Sequence, residues 1–118
     1  MNMVFDESGN SPNSIINHLS VYGSMLLLNK RISKFSDIYC GITNNLDATL
    51  TRHKIQKYLC VIDCGSMEKA AYIETVMGDL GYDIGNPPHD ANGAANDSRY
   101  VYLFVKTTNS DPALKIGD

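Results

Sequence analysis

Residues 36–57 read SDIYCGITNNLDATLTRHKIQK, and their pattern decides how the chain folds. Ser36–Thr43 is rich in β-forming residues and stops at Asn44-Asn45, a pair that favours turns. Asn45 is placed to cap a helix, with Asp47 in the electropositive first turn. That helix is expected from Leu46 to about Lys57, with Leu46, Leu50 and His53 on one face at i, i+4 and i+7.

Downstream, Tyr58–Asp63 reads as a second strand. Ser66 then caps a helix whose apolar stripe is Ala70, Ile73, Met77 and Leu80, with Glu68 near its positive end. Gly81 is the expected stop, in the position where glycine tolerates a left-handed backbone. Residues 85–98 hold two prolines, two glycines and three asparagines, a long loop of the kind often tied to function. RYVYLFVK, residues 99–106, reads as a buried strand. Upstream, Ile15, Leu19, Tyr22 and Leu26 recur at helical spacing behind Ser14 as N-cap. Gly23 interrupts them, and Met25–Leu28 reads equally as helix or as a short strand. The arrangement expected here is a helix through about Val21 and then a strand. Residues 1–13 and 107–118 are expected as loose tails around one domain, 14–106, built as a small sheet covered by helices.

The composition suits such a domain. The chain has 118 residues, 43% hydrophobic and 19% charged, and no apolar run approaches the roughly 20 residues that span a bilayer. The start is polar and acidic, unlike a secretory signal, so a cytoplasmic location is expected. Three cysteines cannot all pair within one chain, which fits free thiols in a reducing compartment. Cys60 and Cys64, four residues apart on an extended segment, would stand about 13 Å apart, too far for one zinc ion. The net charge of −3 is unlike a general nucleic-acid binder. Its distribution is not uniform. Lys30, Arg31, Lys34, Arg52, Lys54 and Lys57 face only Asp37 and Asp47 within residues 30–57, leaving that stretch at +4 (six minus two). A local phosphate-facing surface and a solvated face are both compatible with this.

YCGITNNLDATLTRH, residues 39–53, resembles the second half of the GIY-YIG nuclease signature. Tyr39-Cys40-Gly41 stands for YIG, Thr43-Asn44 follows, and His53 falls at the family's histidine spacing. Glu74 lies where the family keeps a metal-binding glutamate, and Asn86, twelve residues on, matches an asparagine near its active site. The resemblance covers roughly Tyr22 to Lys106. It implies an α+β fold with a GIY-YIG-like central sheet of about three strands, largely antiparallel, flanked by helices.

The resemblance further implies a metal-dependent endonuclease that hydrolyses phosphodiester bonds in nucleic acid, DNA first. Glu74 would hold Mg²⁺ or Mn²⁺, with Tyr39, His53 and Arg52 as the other catalytic groups. Lys30, Arg31, Lys34, Lys54, Lys57 and Asn86 would contact the nucleic acid. Two positions depart from the family. Thr49 stands where it carries an arginine, and a threonine offers no charged fork to a phosphate. Arg52, three residues on, is the substitute on nearly the same helical face. The upstream GIY element is reduced to Gly23-Ser24-Met25, without its tyrosine. A degenerate relative would be a non-catalytic module binding nucleic acid or a protein partner, or a homo-oligomer with an accessory role.

Overall fold

The structure, a computed structural model, describes residues 3–85 and 97–114. Its elements alternate along the chain: β1 (Val4–Asp6), α1 (Pro12–Leu28), β2 (Ile38–Thr43), α2 (Leu46–His53), β3 (Cys60–Asp63), α3 (Met67–Asp79) and β4 (Tyr100–Val105). The strands form one sheet in the order β1-β3-β4-β2. β4 runs antiparallel to both neighbours, pairing Tyr100 with Thr43 and with Asp63, while β1 lies parallel to β3. The class is α+β, and the sheet has four strands rather than about three. The fourth is β1, inside the segment expected as a tail. Three residues are too few for a periodicity reading, yet Phe5 packs into the core with its ring 5.0 Å from that of His18.

The two faces of the sheet carry different layers. Ile38, Cys40, Ile42, Ile62, Val101 and Leu103 meet α1 and α3 through Ile15, Leu19, Ala70, Ile73 and Met77. On the other face Tyr58, Val61, Tyr102 and Phe104 meet Leu46 and Leu50 of α2, with Tyr39 beside them. Alternate residues of each strand thus enter alternate cores, as the pleat dictates.

Local signals explain the boundaries. Asn45 and Ser66 cap α2 and α3 as expected, accepting from the amides of Ala48 at 3.0 Å and Lys69 at 3.2 Å. α1 starts earlier than expected. Ser11, not Ser14, is its N-cap, and Pro12 takes a first-turn position where its missing N–H costs nothing. It also continues as helix to Leu28, so no strand forms over Met25–Leu28. Gly23 is tolerated there because Tyr82 lies across it: a Cβ on Gly23 would meet the Tyr82 hydroxyl at 2.0 Å. α2 stops at His53, short of Lys57, because Lys54 takes a left-handed backbone (φ 57°). In α3 the apolar stripe holds at Ala70, Ile73 and Met77 and departs from expectation at its end. Leu80 is 47% exposed, whereas Glu74 is buried at 1%. The described part of the C-terminal segment is also fixed: Ser110 is buried, and the Asp111 amide donates to the His53 carbonyl at 2.8 Å. No helix among the described residues is long and apolar enough to cross a membrane.

Candidate functional site

His53 closes the last turn of α2 and turns its ring onto the sheet, as its spacing with Leu46 and Leu50 requires. The ring centroid lies 4.9 Å from those of Tyr39 and Phe104, and 5.6 Å from Tyr102. Both ring nitrogens are engaged. Nδ1 lies 2.5 Å from the Asp111 carbonyl oxygen, which only accepts, so Nδ1 carries the proton. Nε2 is therefore the acceptor for the Tyr102 hydroxyl, 2.6 Å away. Burial lowers the His53 pKa, and the Arg52 charge lowers it further against the opposing bond to Asp111. A neutral imidazole with both nitrogens held this way ties α2 to β4 and to the C-terminal segment. It has no lone pair left for a water.

Gly41 makes this arrangement fit. It pairs with Tyr102 across β2 and β4, and the Tyr102 ring lies over the space a side chain would fill. Burial first, then the Glu74 and Asp83 carboxylates, push the half-buried Tyr39 hydroxyl far above its ordinary range, so it stays protonated. Tyr58 donates to the Leu46 carbonyl at 2.6 Å, and burial pushes its pKa up to about 12. Thr49, where the family carries arginine, is buried and spends its hydroxyl on Thr43 at 2.7 Å and the Asn45 carbonyl at 2.8 Å. It locks the turn into α2. Arg52 is exposed above the aromatic cluster, with Nη2 3.5 Å from His53 Nε2.

The structure thus brings together Tyr39, His53 and Arg52, and adds Tyr102, which sequence reasoning left unassigned. The signal for it was the alternation of Tyr100, Tyr102 and Phe104 along β4. Glu74 belongs to the α3 layer on the other face of the sheet, although its charge acts on both Cys40 and Tyr39. The Glu74 side chain is buried, at 1% exposure. Among the described residues no group of three or more His, Cys, Asp and Glu side chains could hold a metal. The segment expected to supply the GIY strand, Gly23–Met25, is the middle of α1. Asn86 lies outside the described residues. The three thiols are free and buried, and burial raises their pKa values, to about 11 for Cys60 and about 12 for Cys64.

The exposed lysines and arginines of residues 30–57 lie at one end of the sheet. β2 and β3 begin at the end of the sheet where β4 finishes. The segments before β2 and β3 therefore both lie at that end, which carries Lys30, Arg31, Lys34, Arg52, Lys54 and Lys57, all exposed. Lys106, paired to Asp83 at 2.9 Å, is at the same end. Against Asp37, Asp79, Asp83 and Asp111 this end carries +3 (seven minus four). The opposite end holds Asp6, Glu7, Asp47, Asp63, Glu68 and Asp97 against Lys69 and Arg99, or −4 (two minus six). An open depression of about 510 Å³ at that acidic end includes Asn44, Ser66 and Arg99. None of the residues expected at a site lines it, and Arg99 is already paired to Asp63 at 3.1 Å. No protein-family model, no curated protein and no solved structure matches the chain.

Proposed function

We propose that the chain is a non-catalytic nucleic-acid-binding module that grips a phosphate backbone, that of DNA first, with the basic end of its sheet. One observation carries this reading: six exposed cations, spread over 28 positions of sequence, lie at one end, while six of the eleven described carboxylates lie at the other. A body of net charge −3 with such a polar arrangement would meet a polyanion in one orientation. The state of the two expected bases, His53 and Tyr39, supports binding without hydrolysis. His53 has both nitrogens engaged, and Tyr39 is held protonated.

The test is fluorescence anisotropy on a labelled 16-base-pair DNA duplex across a salt series. Binding should weaken with salt, with a log–log slope no steeper than about −5 for six phosphate contacts. Arg31→Glu with Lys57→Glu should weaken it strongly, and Glu68→Lys at the far end should not. Salt-independent binding would favour a protein partner instead.

One observation favours the endonuclease as a second reading: Tyr39 packs against His53 and lies within electrostatic reach of both Glu74 and Arg52. Nicking of plasmid DNA in Mg²⁺ or Mn²⁺, abolished by Glu74→Ala, would establish it over the binding-only reading.

A further inference from the structure

All three helices finish at the basic end, and all three finish in the same way. In each, the residue two past the last full turn donates to the carbonyl five residues back, and the one before it donates within that loop. Arg31 donates to the Leu26 carbonyl and Lys30 to Leu27; Ile55 donates to Leu50 and Lys54 to Thr51; Tyr82 donates to Met77 and Gly81 to Gly78. This double bond pattern needs a left-handed residue at its inner position, normally glycine because a Cβ there crowds the following carbonyl. α3 obeys, with Gly81 at φ 110°. α1 and α2 do not. They place Lys30 at φ 60° and Lys54 at φ 57°, the two positive-φ residues other than glycine among those described.

Resting on the nucleic-acid reading above, we propose that Lys30 and Lys54 are its paired phosphate contacts, kept at a backbone cost because their charge is needed there. The geometry suits the role. α1 and α2 cover opposite faces of the sheet, so the two lysines flank its end from either side. Helices 10–12 Å across on both faces set the two ammonium groups on the order of 20 Å apart. At about 3.4 Å per phosphate along one strand, that span covers about six nucleotides. The attraction of a cation to a helix C-terminus offsets part of the strain. It would be served equally by a basic residue in the last turn, where no strain arises; α2 already carries Arg52 there, and α1 carries none.

Strain and binding then make opposite demands on one pair of residues, and this separates the inference from a plain surface charge. The double variant Lys30→Gly/Lys54→Gly should melt several degrees higher than the parent. It should also bind the 16-base-pair duplex less tightly, with a salt slope shallower by about 2, one per lost contact. Lys30→Asn/Lys54→Asn, which also tolerates the left-handed backbone, should behave alike. A double glycine variant that binds like the parent, while Arg31→Glu weakens binding, would overturn these two assignments and leave the binding reading intact. A lower melting temperature would overturn the claim of strain. A parent that does not bind the duplex at low salt would remove the reading on which the proposal rests.

Discussion

Replacing Gly41 by alanine should destabilise the fold far more than a single methyl suggests. A Cβ there would lie 2.4 Å from the Tyr102 hydroxyl oxygen and 2.5 Å from Cζ, where ordinary contacts are about 3.5–4.0 Å. Tyr102 has nowhere to go. It is 1% exposed, its ring is 5.1 Å from that of Tyr58, and its hydroxyl holds His53 Nε2 at 2.6 Å. Overpacking of this kind costs about 1–3 kcal/mol. Swinging the ring aside instead breaks the bond to His53 and strands a buried acceptor, at about 1–3 kcal/mol. The backbone entropy that alanine saves in the unfolded chain returns about 0.4–1 kcal/mol. By either route the net loss is about 1–2 kcal/mol, which for a domain of this length lowers Tm by roughly 5 °C. Gly9→Ala is the matched control, with nothing within 4 Å of its Cβ, and should stay within about 0.5 kcal/mol of the parent. Thermal and urea unfolding of both variants measure the difference. A Gly41→Ala protein that melts within about 2 °C of the parent would refute the packing of Tyr102 over β2.

Three further outcomes follow from the same geometry. The His53 ring should titrate below its ordinary value near 6.5, followed by its NMR ring protons. Because the fold lowers this pKa, its contribution to stability is complete above about pH 6.5 and is lost as pH falls towards the folded value; a midpoint at or above 6.5 would contradict the buried neutral ring. Cys40, Cys60 and Cys64 should resist a thiol reagent at pH 8 and react together only in denaturant, because burial keeps all three protonated; rapid labelling of the native protein would contradict their burial. Ser66→Ala should cost α3 about 1 kcal/mol by stranding the Lys69 amide, read by urea unfolding, and no change would argue against that cap.

What the sequence made legible was local. Asn45 and Ser66 announce their helices because a cap and its amide are three residues apart. Gly81 announces a stop, and the inward turn of His53 follows from its spacing with Leu46 and Leu50. What it hid was long-range. Gly23 looks like a helix breaker until Tyr82, far along the chain, is seen to need its space. The partners that occupy His53 are 49 and 58 residues away, so a candidate catalyst and a structural tie look alike in sequence. β1 is too short to show a pattern and is held by its partner β3. The excess of positive charge over residues 30–57 was visible, but its placement at one end depends on the strand directions.

The most direct test of the binding account is to map where a nucleic acid touches the protein. Amide chemical shifts of the labelled chain, followed as a 16-base-pair DNA duplex is added at low salt, should move at residues 30–34 and 52–57. They should stay still around Asn44, Ser66, Arg99 and Tyr100. Movement confined to that acidic end, or none anywhere, would contradict the account.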